Sequence, residues 1–129
     1  MKLPSNLGHL KTDQWEFLQD CADRFENAWQ KSATVDLAQF LPPPGHPLRL
    51  VTLQELIKTD LEIRWRRGQV LGLEYYLEKY PELGPPQDLP PQLIFEEYRI
   101  RHLHGDKPDL QHYHKRFPAQ FAQTIQRRL

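Results

Sequence analysis

The chain has one cysteine and six glycines in 129 residues, and both shortages exclude chemistry. A lone Cys21 rules out an intramolecular disulfide, leaves a single thiolate for any metal, and suits a reducing compartment. The few glycines form no Gly-x-Gly-x-x-Gly or Walker loop to cradle a phosphate. Neither a Gly-x-Ser-x-Gly elbow nor a Cys-x-x-Cys pair is present. Excess charge of either sign is missing as well: 17 Lys and Arg balance 17 Asp and Glu, and residues 51–129 hold twelve basic against eleven acidic side chains. Nothing in the overall balance draws the chain to nucleic acid or an anionic membrane. Apolar runs stay well short of the roughly 20 residues that cross a bilayer, and residues 1–10 lack the apolar core of a signal peptide. The expectation is a cytoplasmic segment with no membrane contact, no cofactor, no metal and no catalytic residue.

What the chain does have is an internal repeat. Residues 56–83 lie over residues 93–120 at a constant offset of 37, without a gap. Eight positions are identical, pairing Leu56/Leu93, Ile57/Ile94, Ile63/Ile100, Arg64/Arg101, Gly68/Gly105, Leu73/Leu110, Tyr76/Tyr113 and Pro81/Pro118. Asp60/Glu97, Lys79/Arg116 and Tyr80/Phe117 match in character. A weaker third copy lies upstream at an offset of 36, placing Phe25 on Leu61, Trp29 on Trp65, Leu37 on Leu73 and Phe40 on Tyr76, with Ser32 where the others have glycine. Such repeats are one supersecondary unit whose apolar face is buried by a neighbouring copy.

The twelve prolines cluster between apolar-periodic stretches that hold three tryptophans, five tyrosines and six phenylalanines, the pattern of short helices with stiff connectors. A first helix is predicted over residues 13–31 with Thr12 as N-cap, its stripe made of Trp15, Leu18, Ala22, Phe25 and Trp29. Residues 36–41 read as a short helix stopped by Pro42-Pro43-Pro44-Gly45. Thr52-Leu53-Gln54-Glu55 reads as a capping box opening the next long helix, and Gly68 ends that helix in the left-handed conformation. A shorter helix from Gly72 carries Leu73, Tyr76, Leu77 and Tyr80 and closes at Pro81. Leu93, Ile94, Tyr98 and Ile100 rebuild the long helix, Gly105 stops it, and Pro108 stands in the first turn of a last short helix ending at Pro118. The fold class is therefore all-α: a compact bundle of three degenerate long-short helical hairpins joined by Pro-rich connectors. The chain is expected to form one domain over 1–129, with repeat units at about 13–42, 52–81 and 91–118. Residues 119–129 form a terminal helix through Phe121, Ile125 and Leu129, or the start of a linker. Gly68, Gly105, Pro81, Pro118, Trp29, Trp65, Tyr76 and Tyr113 carry the structure.

Two clusters invite a functional reading. His102, His104, His112 and His114 flank a turn and could offer imidazoles to zinc, but residues two apart on a helix point about 200° away from each other, so each pair supplies one ligand at most. They read as helix-end histidines complementing the carbonyl terminus. Arg64, Arg66, Arg67, Arg99 and Arg101 make two helix ends basic, and a phosphate or nucleic-acid contact is open. Asp60, Glu62, Glu96 and Glu97 stand one turn away and would pair with them. The carboxylates fall on charged faces beside bases, so nothing is expected to shift a pKa. Arg64, Arg66, Arg67, Arg101, His102 and His104 are the candidate interaction residues, and an exposed Trp15, Trp29 or Trp65 would be the first candidate anchor.

Residues 56–68 and 73–81, with Glu96-Glu97-Tyr98-Arg99, Gly105-Asp106-Lys107-Pro108-Asp109-Leu110 and Arg116-Phe117-Pro118, resemble the helical region preceding the catalytic domain of large bacterial serine/threonine protein kinases. The resemblance spans about residues 25–118. It implies a fragment, with an ATP-binding catalytic domain downstream and often a membrane-spanning segment beyond that. The family's catalytic residues match no position here. The expected function is a non-catalytic regulatory or protein-interaction module, whose partner is the attached kinase domain, another protein or a second copy of itself. The alternative is a nucleic-acid-binding helical domain using the arginine-rich helix ends.

Overall fold

The computed structural model describes residues 10–121, and every regular element among them is helical. The order is α1 (Thr12–Lys31), a 3-10 turn (Leu37–Phe40), α2 (Arg49–Arg66), α3 (Leu73–Lys79), 3-10 turns at Pro81–Leu83 and Pro86–Asp88, α4 (Pro91–His104), α5 (Leu110–Arg116) and α6 (Pro118–Gln120). The fold is all-α. Contacts divide the chain into two units at the Asp60/Leu61 step, inside α2, and each is taken separately below.

In the first unit, α1 turns Leu18, Cys21, Ala22, Phe25 and Trp29 into a core, residues that share one face of a 3.6-residue period. Trp15, expected in that stripe, is only half-buried; with Leu10 and Val51 it packs on Leu18. The Phe25 ring stands edge-on to Trp29 at 6.4 Å and to Phe40 at 5.4 Å. The N-cap falls at Lys11 rather than Thr12, and the Lys11 N–H donates to Gln14 Oε1 at 3.0 Å. The predicted short helix is a single 3-10 turn, capped by Asp36 accepting from the Ala38 N–H at 3.1 Å.

The capping box at Thr52 does not form. Helix α2 begins at Arg49, three residues earlier. His46 does the capping, its Nδ1 accepting from the Leu48 N–H at 3.0 Å and its carbonyl from the Arg49 N–H at 3.0 Å. The ring is fixed by stacking on Phe17 at 5.3 Å. Thr52 lies inside the helix, fully buried, with its hydroxyl donating back to Leu48 O at 2.6 Å, while Glu55 pairs with Lys58 at 2.9 Å. A Thr-x-x-Glu string satisfies a helix interior as readily as a helix start, because the hydroxyl can reach the carbonyl four residues back.

In the second unit the short helices α3 and α5 have bounds separated by the repeat offset at both ends, 73 to 110 and 79 to 116. Leu61, Ile63, Trp65, Leu73, Tyr76, Tyr80, Leu83, Leu89, Leu93, Ile94, Ile100, Tyr113, Phe117 and Phe121 are buried. Pro81, Pro91 and Pro118 each open a helical segment, the position where a missing N–H is harmless. Pro108 does not lie in the first turn of α5: Asp109 is the N-cap, so the proline precedes the helix. Ile125 and Leu129 of the proposed terminal helix lie outside the described residues.

The two turn glycines stand in unlike surroundings. Gly68 has φ +81° and open space around it, and ends α2 with Gly68 N–H to Trp65 O at 3.0 Å and Gln69 N–H to Arg64 O at 2.8 Å, a Schellman-type close. Gly105 has a negative φ, −138°. A Cβ there would sit 2.6 Å from the Trp65 ring, so its missing side chain makes room for an indole. The positive φ of this turn moves to Lys107, at 51°.

Candidate functional site

Helix α4 buries the stripe Leu93, Ile94, Glu97, Ile100 and Arg101, so a carboxylate and a guanidinium occupy two positions of an otherwise apolar face. Glu97 is 0 % exposed and accepts four bonds. Its Oε1 takes the Leu73 backbone N–H at 2.8 Å and Arg116 Nη2 at 2.9 Å; its Oε2 takes Arg116 Nη1 at 2.5 Å and Arg101 Nη1 at 3.3 Å. Arg116 uses its other edge on Glu74, with Nε to Oε2 at 2.7 Å and Nη2 to Oε1 at 2.6 Å, and lies over the rings of Tyr113 and Phe117. Arg101 forks onto Asp106 at 2.9 and 2.6 Å and lies over Trp65, 5.1 Å from its centre. His112 Nε2 receives Arg116 Nη1 at 2.9 Å and Arg101 Nη1 at 3.3 Å.

This clamp joins α3, α4, the α4–α5 turn and α5. It reaches the start of a helix whose N-cap, Gly72, has no side chain, and Glu97 takes the amide of the first helical residue, Leu73, one that an N-cap side chain does not reach. A side chain at Gly72 would also collide with the clamp, because a Cβ there would meet Glu74 Oε1 at 2.7 Å and Arg116 Nη2 at 3.0 Å. The charges are fully committed to one another. The arrangement binds α3, α4 and α5 together.

The expectation that nothing here shifts a pKa fails. Burial opposes the Arg116 charge, but the bonds to Glu97 and Glu74 outweigh it and hold the group well above its ordinary value. Burial likewise works against ionised Glu74, and Arg116 overcomes it, leaving the carboxyl below the usual range. Asp106 is lowered by its bonds to Arg101. Burial, then the Glu97 charge, push the Tyr113 hydroxyl far up. The repeat carried the missed signal, since an acid at 60/97, arginine at 64/101 and a cation at 79/116 recur among apolar positions.

The candidate interaction residues separate. Arg101 is buried in the clamp, and Arg64 Nη1 donates to Gln69 Oε1 at 2.9 Å, its guanidinium 5.7 Å from the Tyr75 centroid. Arg66 and Arg67 are exposed. Arg99 bridges Glu62 and Glu96, both at 2.9 Å. The histidines disperse: His102 Nε2 bonds to Pro108 O at 2.7 Å, His104 lies 3.4 Å from Glu62, and His114 stacks on Phe121. Among the described residues no His, Cys, Asp or Glu side chains gather as a metal site, and no helix is long and apolar enough to cross a membrane. Trp29 and Trp65 are buried and cannot serve as exposed anchors. Trp65 instead donates from Nε1 to Leu71 O at 3.0 Å, pinning the α2–α3 turn. Tyr76 and Tyr113 are buried as well.

The large apolar side chains that do stand exposed in this unit border its two turns. Val70 is 77 % exposed and Tyr75, in the first turn of α3, 38 %; Leu103 is 62 % and Leu110 37 % exposed on either side of the second turn. Val70 lies in a turn and carries no periodic signature, while Tyr75, Leu103 and Leu110 lie in α3, α4 and α5 outside the buried stripes. No family model matches the chain, and neither a curated protein nor a solved structure shows significant similarity to it.

Proposed function

We propose that this chain is a non-catalytic regulatory or protein-interaction module, the segment that precedes the ATP-binding domain of a bacterial serine/threonine protein kinase. The observation that supports it is the division of labour in the second unit. Groups with chemical capability are bound to each other inside the clamp, while apolar side chains are left exposed at the turns. Exposed aliphatic and aromatic groups beside polar surroundings are what a protein partner buries. The kinase assignment comes from the motif resemblance, and the partner it implies is the attached catalytic domain.

The test is an immunoprecipitation from source cells with an antibody raised on this chain, assayed for phosphate transfer from ATP. The reading expects a polypeptide well above 15.4 kDa with kinase activity, while the pure 129-residue chain turns over no ATP. It further expects Val70→Glu with Leu103→Glu to weaken binding of the chain to that catalytic domain supplied separately. A captured species without kinase activity, or ATP turnover by the pure chain, would overturn the reading.

A further inference from the structure

His112 sits where a cation does not fit. Its Nε2 faces Nη1 of Arg116 at 2.9 Å and Nη1 of Arg101 at 3.3 Å. Guanidinium nitrogens only donate, so Nε2 must be the bare acceptor and the ring must be neutral. The charged and titratable groups around it are Glu97 and Arg101 on α4, Asp106 in the turn, Glu74 on α3, and Tyr113 and Arg116 on α5. Those carboxylates are all engaged by the two arginines. A proton on Nε2 would therefore point at two guanidinium N–H groups. It can be accommodated only if they turn away from the ring, which frees carboxylate oxygens to pair with the imidazolium instead. The same charges thus have two arrangements, selected by one proton.

We propose that His112 is an acid-sensitive latch: its protonation draws Arg116 off Glu97 and Glu74 and loosens α5 from α3 and α4. Neutral His112 completes the clamp, whereas the imidazolium competes with it. Burial, followed by the charges of Arg116 and Arg101, depresses the histidine below its ordinary value of 6.5. A group depressed in the folded state contributes stability that is present above 6.5 and is lost as pH falls through its lowered value. The closed arrangement is accordingly the one held at neutral pH.

The test is an NMR titration of the intact chain from pH 8 downward, following the His112 ring, the Arg116 Nε–H and the Leu73 amide. The latch requires the His112 midpoint to be shifted below 6.5, with the Arg116 and Leu73 signals moving at the same midpoint and the Leu73 amide losing exchange protection. In His112→Gln, whose side-chain oxygen accepts from the arginines at every pH, that coupled response should vanish. A His112 midpoint at or above 6.5, or Arg116 and Leu73 signals indifferent to it, would overturn the proposal. So would a variant that keeps the response. Should His112→Gln fail to fold, the wild-type titration decides alone.

Discussion

Helices α3 and α5 are copies of one element, seven residues each and 37 apart, yet they solve their N-terminal problem in opposite ways. Helix α5 caps itself, with Asp109 accepting from the His112 N–H at 3.1 Å. Helix α3 has glycine at the same place and borrows the Glu97 carboxylate of the next repeat, which takes the amide of its first residue, Leu73, where Asp109 takes that of the third residue of α5. Burial follows the caps: Leu73 is 1 % exposed and its counterpart Leu110 37 %. A unit whose helix start is held by its neighbour needs no side chain of its own there. The hairpin at 91–118 carries its own cap residue, Asp109.

Removing the borrowed cap should be the most damaging change. Glu97→Ala leaves Arg116 and Arg101 short of a buried counter-charge, and urea unfolding should show a loss of about 3–5 kcal/mol. Next comes the close approach on the other hairpin. Gly105→Ala drives a methyl into the Trp65 ring and should cost about 1–3 kcal/mol. Its repeat counterpart Gly68→Ala meets no atom and should cost about 1–2 kcal/mol through its left-handed backbone alone. Thermal melts of the two variants, with a Trp65 fluorescence change only in Gly105→Ala, check that distinction. Asp109→Ala removes the self-made cap and should lose about 1 kcal/mol, read in the same urea series; a loss matching that of Glu97→Ala would erase the contrast between the copies. The smallest effect is a pH dependence. The carboxyls of Glu74, Asp106 and Glu62 are lowered, that of Glu62 by Arg99 against the effect of burial. Their contribution is present above about pH 4.5 and fades as pH falls through their lowered values. Glu74→Gln should flatten the acid limb of a stability profile in that window.

Much of this was legible beforehand, and the failures have physical reasons. Apolar spacing located α1, and the repeat offset placed α3 and α5, because helix packing imposes a period that survives in sequence. The left-handed Gly68 was legible because few other residues adopt that conformation. Gly105 misled since glycine also answers to lack of space, and only the approach of Trp65 distinguishes the two reasons. Thr52 misled because its hydroxyl serves a helix interior as well as a start, while the cap itself came from His46, a residue outside the usual capping set. Glu97 was placed on a charged face because a glutamate one turn from an arginine ordinarily is; burial came from α5 bringing Arg116 across 19 residues of chain.

The exchange protection of the Leu73 and His112 amides, measured together in Glu97→Ala and in Asp109→Ala, tests the division between the copies most directly. Borrowed and self-made caps require that Glu97→Ala strip protection from Leu73 more than from His112, and that Asp109→Ala do the reverse. If Leu73 stays protected without the Glu97 carboxylate while His112 remains as before, Glu97 does not hold the start of α3.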